Sequence, residues 1–443
     1  MLFGYTFPTT WACSGLAPVR ARPWRANKEN DGILSHRILK VIDWIPHFKK
    51  AGITSILFNP VFESDRHGYD TRDYTKIDCR LGTNEDFQKV CTELNNNGIS
   101  IILDGVFNHV GRGFPYFQDV IEKKWDSPYK DWFHINFDDT NHEDGFWYEG
   151  WEGHQELVKL NMYNPDVRNY LIQCVDTWIE QFHISGLRLD VAYMVDRNFM
   201  RELCDHVRAL HPDFFFLGEM IGGDYNAIMN DHLLDSVTNY ECRKGLYSSF
   251  NSKNLFEIGY SLNRQFGKEP WCLYTGKHLL SFVDNHDVDR IASILEDKDD
   301  LPLIYALMEA MPGIPCIYYG SEWGCEGKKT NNSDDDLRPC FEKAEWNALT
   351  DTIQKLNTFH TSISTFTYGD YTQLYIQNKQ IVFKRCDENG QLIFCMNIDN
   401  DPAEVYFDAG CESGIDLFTN KEIEFNGSLE LEKKSFQIIY TKW

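Results

Sequence analysis

The sequence predicts an α/β fold: a TIM (β/α)8 barrel with an irregular subdomain inserted after strand 3 and a C-terminal antiparallel β-sandwich domain. Three observations predict it. Short β-branched or aromatic runs alternate with amphipathic helical stretches over roughly the first 360 residues, the rhythm of eight parallel β/α units. Residues 110–163 interrupt that rhythm and show no helical period. After about Phe359 the pattern changes to closely spaced alternating segments of the antiparallel kind. The expected domains are residues 1–109 with 164–360 for the barrel, 110–163 for the inserted subdomain and 361–443 for the sandwich.

The elements follow in order. A first strand is expected near residues 2–5 and a second over 53–58. After a polar loop, Asn84 is read as the N-cap of a helix whose apolar positions are Phe87, Val90, Cys91 and Leu94, and Gly98 ends it. Residues 99–103 are the third strand, apolar almost throughout as buried parallel strands are. The clearest helix starts at Pro165 with Asn164 as its cap. Val167, Tyr170, Leu171, Cys174, Val175, Trp178, Ile179 and Phe182 then keep the 3.6-residue period without a miss. Later strands are expected over 186–189, 214–217, 233–237, 278–283 and 314–319. In the last domain, 374–377, 381–385, 392–397, 405–407 and 436–440 read as strands.

Composition narrows the function. A net charge of −24 argues against nucleic-acid and anionic-membrane partners and suits a neutral substrate. There is no run of about 18 apolar residues, so no membrane span is expected. The first 16 residues lack a basic stretch followed by an apolar one and do not read as a signal peptide. The 13 cysteines are odd in number and form no C-x-x-C pair, so neither a disulfide framework nor a zinc site is expected. Buried free thiols and a cytoplasmic location follow.

In a barrel the chemistry gathers where strands end. Strand three runs into Asp104-Gly105-Val106-Phe107-Asn108-His109, strand four into Gly186-Leu187-Arg188-Leu189-Asp190, strand five into Gly218-Glu219, and strand seven into Asp284-Asn285-His286-Asp287. One such Asp is often a helix cap. Several carboxylates converging with two His and an Arg are costly, because like charges repel, and so point to function. Glycoside cleavage needs such a set: one carboxylate to attack the anomeric carbon and another to protonate the leaving oxygen and later activate water.

These motifs identify the resemblance. The chain resembles the α-amylase family of glycoside hydrolases over essentially its whole length. The four strand ends look like the family's four signatures. His67-Gly68-Tyr69-Asp70-Thr71-Arg72-Asp73 resembles its loop after strand two, and Gly313-Ile314-Pro315-Cys316-Ile317-Tyr318-Tyr319-Gly320-Ser321-Glu322 its eighth strand and loop. The resemblance implies Asp190 as nucleophile, kept ionised by Arg188, and Glu219 as acid/base with a raised pKa. It implies Asp287 as stabiliser of the transition state. His109 and His286 would bond sugar hydroxyls, Tyr69 would stack beneath the sugar, and Asp70 would support the site through Arg338.

Leu157-Val158-Lys159-Leu160-Asn161 is closest to the neopullulanase, cyclomaltodextrinase and maltogenic amylase group, although Leu157-Val158 replaces that group's usual Met-Pro. Val191 after the nucleophile is compatible with tolerance of α-1,6 bonds. The group carries an N-terminal β-sandwich, whereas this chain begins almost directly with the barrel; the resemblance therefore carries over neither dimerisation nor cyclodextrin preference, and the state is monomer or homodimer. The expected activity is retaining hydrolysis of α-1,4, and with that tolerance α-1,6, bonds in maltooligosaccharides, cyclodextrins or short dextrins. A transglycosylase and a sucrose- or trehalose-acting relative are the alternatives; a catalytically dead binding subunit conflicts with the complete carboxylate set. No cofactor is required. The family does allow a structural calcium beside the inserted subdomain, with Asn108, Asp138, Asp139, Asp144 and Glu149 as available donors. Phe146, Trp147, Tyr148, Trp151 and Trp323 could stack on glucose or pack the core, and composition does not choose.

Overall fold

The computed structural model describes residues 4–7, 30, 32–330 and 333–443, the first four as backbone only. The expectation that residues 1–16 form no signal peptide falls mostly outside them. Eight parallel strands form the barrel: β1 (Gly4–Phe7), β2 (Ser55–Phe58), β3 (Ser100–Gly105), β4 (Gly186–Leu189), β5 (Phe215–Gly218), β6 (Ser236–Val237), β7 (Leu280–Ser281) and β8 (Ile314–Tyr318). Their order is β6-β5-β4-β3-β2-β1-β8-β7, and a parallel bridge between Thr238 and Leu280 closes the ring.

Strands β6 and β7 are shorter than the sequence suggested. Leu233, Leu234, Leu279, Phe282 and Val283 are all buried, yet they flank the ladder instead of joining it. Apolarity reports burial, and the ladder needs backbone alignment as well.

The helix Asn84–Asn96 buries Phe87, Val90, Cys91 and Leu94 as expected, but Thr83 is its cap, not Asn84. Thr83 Oγ1 accepts from the Asp86 backbone N–H at 3.2 Å, and the Asp86 carboxylate accepts from the Thr83 N–H at 3.0 Å, a reciprocal capping box. Asn84 instead ties the helix to the preceding strand, accepting from Ile77 N–H and donating to the Thr75 carbonyl. The helix Pro165–Phe182 starts as read, with Asn164 accepting from the Asp166 N–H. Its Trp178 stacks on Phe62 at 4.2 Å and donates to the Tyr74 carbonyl at 2.7 Å. That bond anchors the strand Thr71–Ile77, which follows the loop bearing Tyr69.

Between β3 and that helix, an antiparallel sheet of His109–Gly111, His154–Lys159 and Gly150–Trp151 rises over the barrel. The expectation that this region lacks helix is corrected by Pro115–Lys123. Only Phe117 and Val120 are buried on it, too few apolar positions to reveal a period.

The C-terminal strands are β9 (Asp370–Ile376), β10 (Gln380–Cys386), β11 (Gly390–Asn397), β12 (Ala403–Tyr406), β13 (Ser413–Asp416), β14 (Lys421–Glu424), β15 (Ser428–Leu431) and β16 (Ser435–Lys442). Six of them form an antiparallel sheet in the order β9-β10-β11-β16-β13-β14, while β12 pairs with β15 as a ribbon. One face of the sheet, with Val382, Ile393 and Ile439, meets Val405 and Leu431 of the ribbon. The other, with Ile381, Phe383, Phe394 and Ile438, joins the barrel core. Every residue of β11 is therefore buried. Arg385, fully buried, donates to the Gly369 carbonyl at 2.7 Å and to the Ala310 carbonyl at 3.0 Å, fastening β10 to the barrel.

Among the described residues eleven cysteines are free, in line with the expectation of buried free thiols, while Cys340 is disulfide-bonded. Among the described residues no helix is long and apolar enough to cross a membrane.

Candidate active site

Parallel register builds the site. Arg188 on β4 lies level with Asp104 on β3, and Leu189 level with Gly218 on β5. The ladder runs one residue further on each side, with Asp190 N–H donating to the Gly105 carbonyl and Glu219 N–H to the Leu189 carbonyl. Asp190 and Glu219 therefore emerge side by side at the rim, and Arg188, two residues before Asp190, shares its face.

The Arg188 guanidinium joins them. Its Nη1 lies 2.5 Å from Asp104 Oδ2 and 3.3 Å from Asp190 Oδ1, and its Nη2 lies 3.0 Å from Glu219 Oε2. Glu219 Oε2 also accepts from the Val191 N–H at 3.0 Å. All four side chains are buried. One cation thus serves three carboxylates. Burial, then the neighbouring Glu219, push the Asp190 carboxyl well above the ordinary aspartate range, and Arg188 opposes the shift without cancelling it. Arg188 was expected to keep Asp190 ionised; it does favour the charged form, but its guanidinium is shared with Asp104 and Glu219. Burial likewise raises Asp104 against the pull of Arg188.

A second cluster faces this one. Tyr69 Oη donates to Asp104 Oδ2 at 3.1 Å and lies 2.6 Å from His286 Nε2, with the two rings parallel at 5.7 Å. His286 Nε2 is also 3.0 Å from Asp287 Oδ2. Arg338 pairs with Asp334 at 2.9 Å, donates to the His286 carbonyl at 3.3 Å and lies 3.9 Å from Asp287. Burial would raise the Asp287 carboxyl, but His286, Arg338 and Arg188 together hold it well below the usual range. Burial, reinforced by His67, pushes His109 down to about 4, so its imidazole is neutral at pH 7. Its ring packs 5.8 Å from Trp151. Asp104 Oδ1, His109 Nε2 and His286 Nδ1 are buried atoms without a protein hydrogen-bond partner.

Asp190, Glu219, Arg188, Tyr69, His286, Asp287 and Arg338 thus form a chain of contacts that passes through Asp104, with His109 beside Trp151. Asp70 does not join it. Its Oδ1 accepts the backbone N–H groups of His67 and Gly68, capping its own loop, and Arg338 pairs with Asp334 instead. Asp104, Asn59 and Asp334 were missed as site members. Asn59 Nδ2 contacts the Tyr69 hydroxyl at 3.4 Å. Asp104 carried the available signal, since it opens the third strand-end motif.

Phe146, Tyr148 and Trp323 are buried core rings, while Trp147 is exposed and Trp151 half-buried. Several of the donors suggested for calcium are engaged elsewhere. Asp144 is held by both Arg112 nitrogens at 2.7 Å, Glu149 by Lys159 at 2.5 Å, and Asp139 faces His142. The Asn108 amide nitrogen lies 3.2 Å from His109 Nδ1. Carboxylates already committed to cations are poor members of a hard oxygen site.

The chain is similar to known proteins in both sequence and fold. The family described as α-amylase, catalytic domain, matches residues 26–364. The chain is 30% identical over 434 residues to the maltogenic α-amylase of Bacillus acidopullulyticus, covering 94% of this chain and 73% of that one. A solved cyclomaltodextrinase superposes with a TM-score of 0.85 at 26% identity, covering 99% of this chain and 77% of that one. The cyclic α-maltosyl-(1→6)-maltose hydrolase of Arthrobacter globiformis superposes with a TM-score of 0.83 at 25% identity, covering 100% and 98%.

Proposed function

Since the chain belongs to the α-amylase family of glycoside hydrolases, we propose that it cleaves α-1,4-glucosidic bonds in maltooligosaccharides and cyclodextrins with retention of configuration. Asp190 attacks the anomeric carbon. Glu219 protonates the departing oxygen, then takes a proton from the water that releases the glycosyl group. The observation that carries the assignment is the single guanidinium of Arg188 in contact with both Asp190 and Glu219. It sets two carboxylates side by side at the rim, as a nucleophile and its acid/base partner require. Asp287, held ionised by His286 and Arg338, supplies negative charge next to the developing oxocarbenium ion. The unsatisfied atoms of Asp104, His109 and His286 are buried donors and acceptors suited to sugar hydroxyls.

Two names support the substrate class: the maltogenic amylase and the cyclomaltodextrinase among the similar proteins. Tolerance of α-1,6 bonds is supported by the likeness to a hydrolase whose name specifies a (1→6) linkage, and by Val191 after the nucleophile. We place the enzyme in the cytoplasm, without a required cofactor. The test is proton NMR of the first-formed product from maltotetraose. Retention gives the α-anomer before mutarotation; an initial β-anomer would sink the mechanism.

A further inference from the structure

We propose that Arg290, together with Tyr319, is a positioning residue: the two fix the backbone on both sides of Arg338 and so aim its guanidinium at Asp287. This rests on the assignment of Asp287 above. Arg290 stands three residues after Asp287, at the start of the short helix Ile291–Ile294. Its bonds go to the loops behind the site and not to the substrate side.

Those bonds gather three segments. Arg290 Nη1 donates to the Tyr319 carbonyl at 2.8 Å and to Ser321 Oγ at 3.0 Å, both in the loop after β8. Its Nη2 donates to the Leu337 carbonyl at 2.8 Å, and its backbone N–H to the Gly327 carbonyl at 3.0 Å. Its guanidinium lies over the rings of Tyr318 and Tyr319 at 4.4 and 5.0 Å. Ser321 Oγ carries the contact onward by donating to Asp284 Oδ2 at 2.8 Å, and that oxygen also accepts from the Ile291 N–H at 2.7 Å. The loop after β7 is thereby held as well. A Cβ on Gly327 would stand 2.1 Å from the Asp336 carbonyl oxygen, so the segment before Arg338 packs backbone to backbone on itself.

Arg338 is caught between two of these anchors. Leu337, before it, is held by Arg290. Pro339, after it, accepts from the Tyr319 hydroxyl at 2.5 Å. Tyr319 is in turn held by Arg290 through its own carbonyl. The Arg338 side chain lies 3.9 Å from Asp287, and its buried Nε has no hydrogen-bond partner, so its aim depends on where its backbone is set. Burying a whole cation is costly, and an apolar side chain would fill the same space at less expense. Arg290 is nevertheless fully buried. What a guanidinium supplies there is a rigid planar fork, which fixes the separation of the Tyr319 and Leu337 carbonyls.

The experiment is a double-mutant cycle on maltotetraose hydrolysis, with Arg290→Met, Arg338→Met and the double variant, and with Tyr319→Phe in both backgrounds. Arg290→Met should lower kcat about tenfold and Tyr319→Phe about threefold, with KM little changed, because a misplaced Arg338 weakens what Asp287 does in the transition state. In the Arg338→Met background either change should cost less than about twofold. Arg290→Lys should fall with Arg290→Met, since lysine has the charge without the fork. Equal losses in both backgrounds would overturn the proposal and leave Arg290 a stabilising residue only, as would full activity in Arg290→Lys. If Arg290→Met does not fold, the Tyr319→Phe arm of the cycle decides in the same way. An Asp287→Asn variant as fast as the wild type would overturn the reading of the site itself, and the clamp with it.

Discussion

Three buried carboxylates around one guanidinium make the proton inventory of this site a shared property. Burial and Glu219 both push Asp190 up, and Arg188 pulls it down. A nucleophile must be ionised, so the acid limb of kcat/KM should lie above the ordinary aspartate value of about 3.9. Glu219→Gln removes the largest of the neighbouring charges that push Asp190 up. With an aryl α-maltoside, whose leaving group needs little protonation, that variant should keep measurable turnover and move its acid limb to lower pH. A limb that stays in place would show that Asp190 does not set it. Asp190→Asn should lower kcat by about a hundredfold to ten-thousandfold on the same substrate. These residues were legible because each motif is local: a strand end delivers its carboxylate within a few positions. Asp70 was expected to act through Arg338, and it is found capping its own loop instead. A turn-capping aspartate and a substrate-binding one look alike in sequence, and only the bonds to His67 and Gly68 N–H separate them. Asp334 escaped notice because its value lies in where Arg338 points, which no local pattern encodes.

Elements were read well where amphipathic period and burial coincide and less well where they part. The helix Pro165–Phe182 buries all but one of its eight periodic positions, with Tyr170 half-buried, because one face packs on the barrel and the other meets water. Strands β6 and β7 were overdrawn because the residues flanking them are as apolar as the ladder itself. The cap of Asn84–Asn96 was displaced by one residue, since Thr83 and Asn84 are both good caps. The observed box gives a direct check. Thr83→Ala removes the acceptor for the Asp86 N–H and should cost about 1 kcal/mol in urea unfolding. Activity at 25 °C should be retained, because this helix begins far in sequence from the strand ends that carry the site. A variant with an unchanged unfolding midpoint would show that the box adds nothing to stability.

At the scale of the molecule, the C-terminal strands were expected to form a β-sandwich; one face of the sheet packs on the ribbon around its own core, and the other face joins the barrel core. The alternation along β10 sends Val382 to the ribbon and Ile381 and Phe383 to the barrel, so a one-residue slip would exchange two hydrophobic interfaces. Strand periodicity could not say that both faces are covered. Glu309 lies at the centre of this contact. It lies in the last turn of the helix Leu301–Ala310, beside His360 and next to Ala310, whose carbonyl receives Arg385. Both its carboxylate oxygens are buried without a hydrogen-bond partner, and burial raises its pKa well above the ordinary value. The folded state therefore keeps a proton that the unfolded chain has released. Whatever Glu309 contributes is fully present below its unfolded pKa, about 4.3. It falls as pH rises above that value, because the folded state then binds more protons than the unfolded one. Glu309→Gln cannot ionise, so it should raise the thermal midpoint at pH 8 and have much less effect near pH 4, read by calorimetry at both values. Because barrel and C-terminal sheet share one core, the shift should appear in a single cooperative transition. Two separate transitions, or a stabilisation equal at both pH values, would show that this carboxyl does not couple protonation to the docking of the sheet.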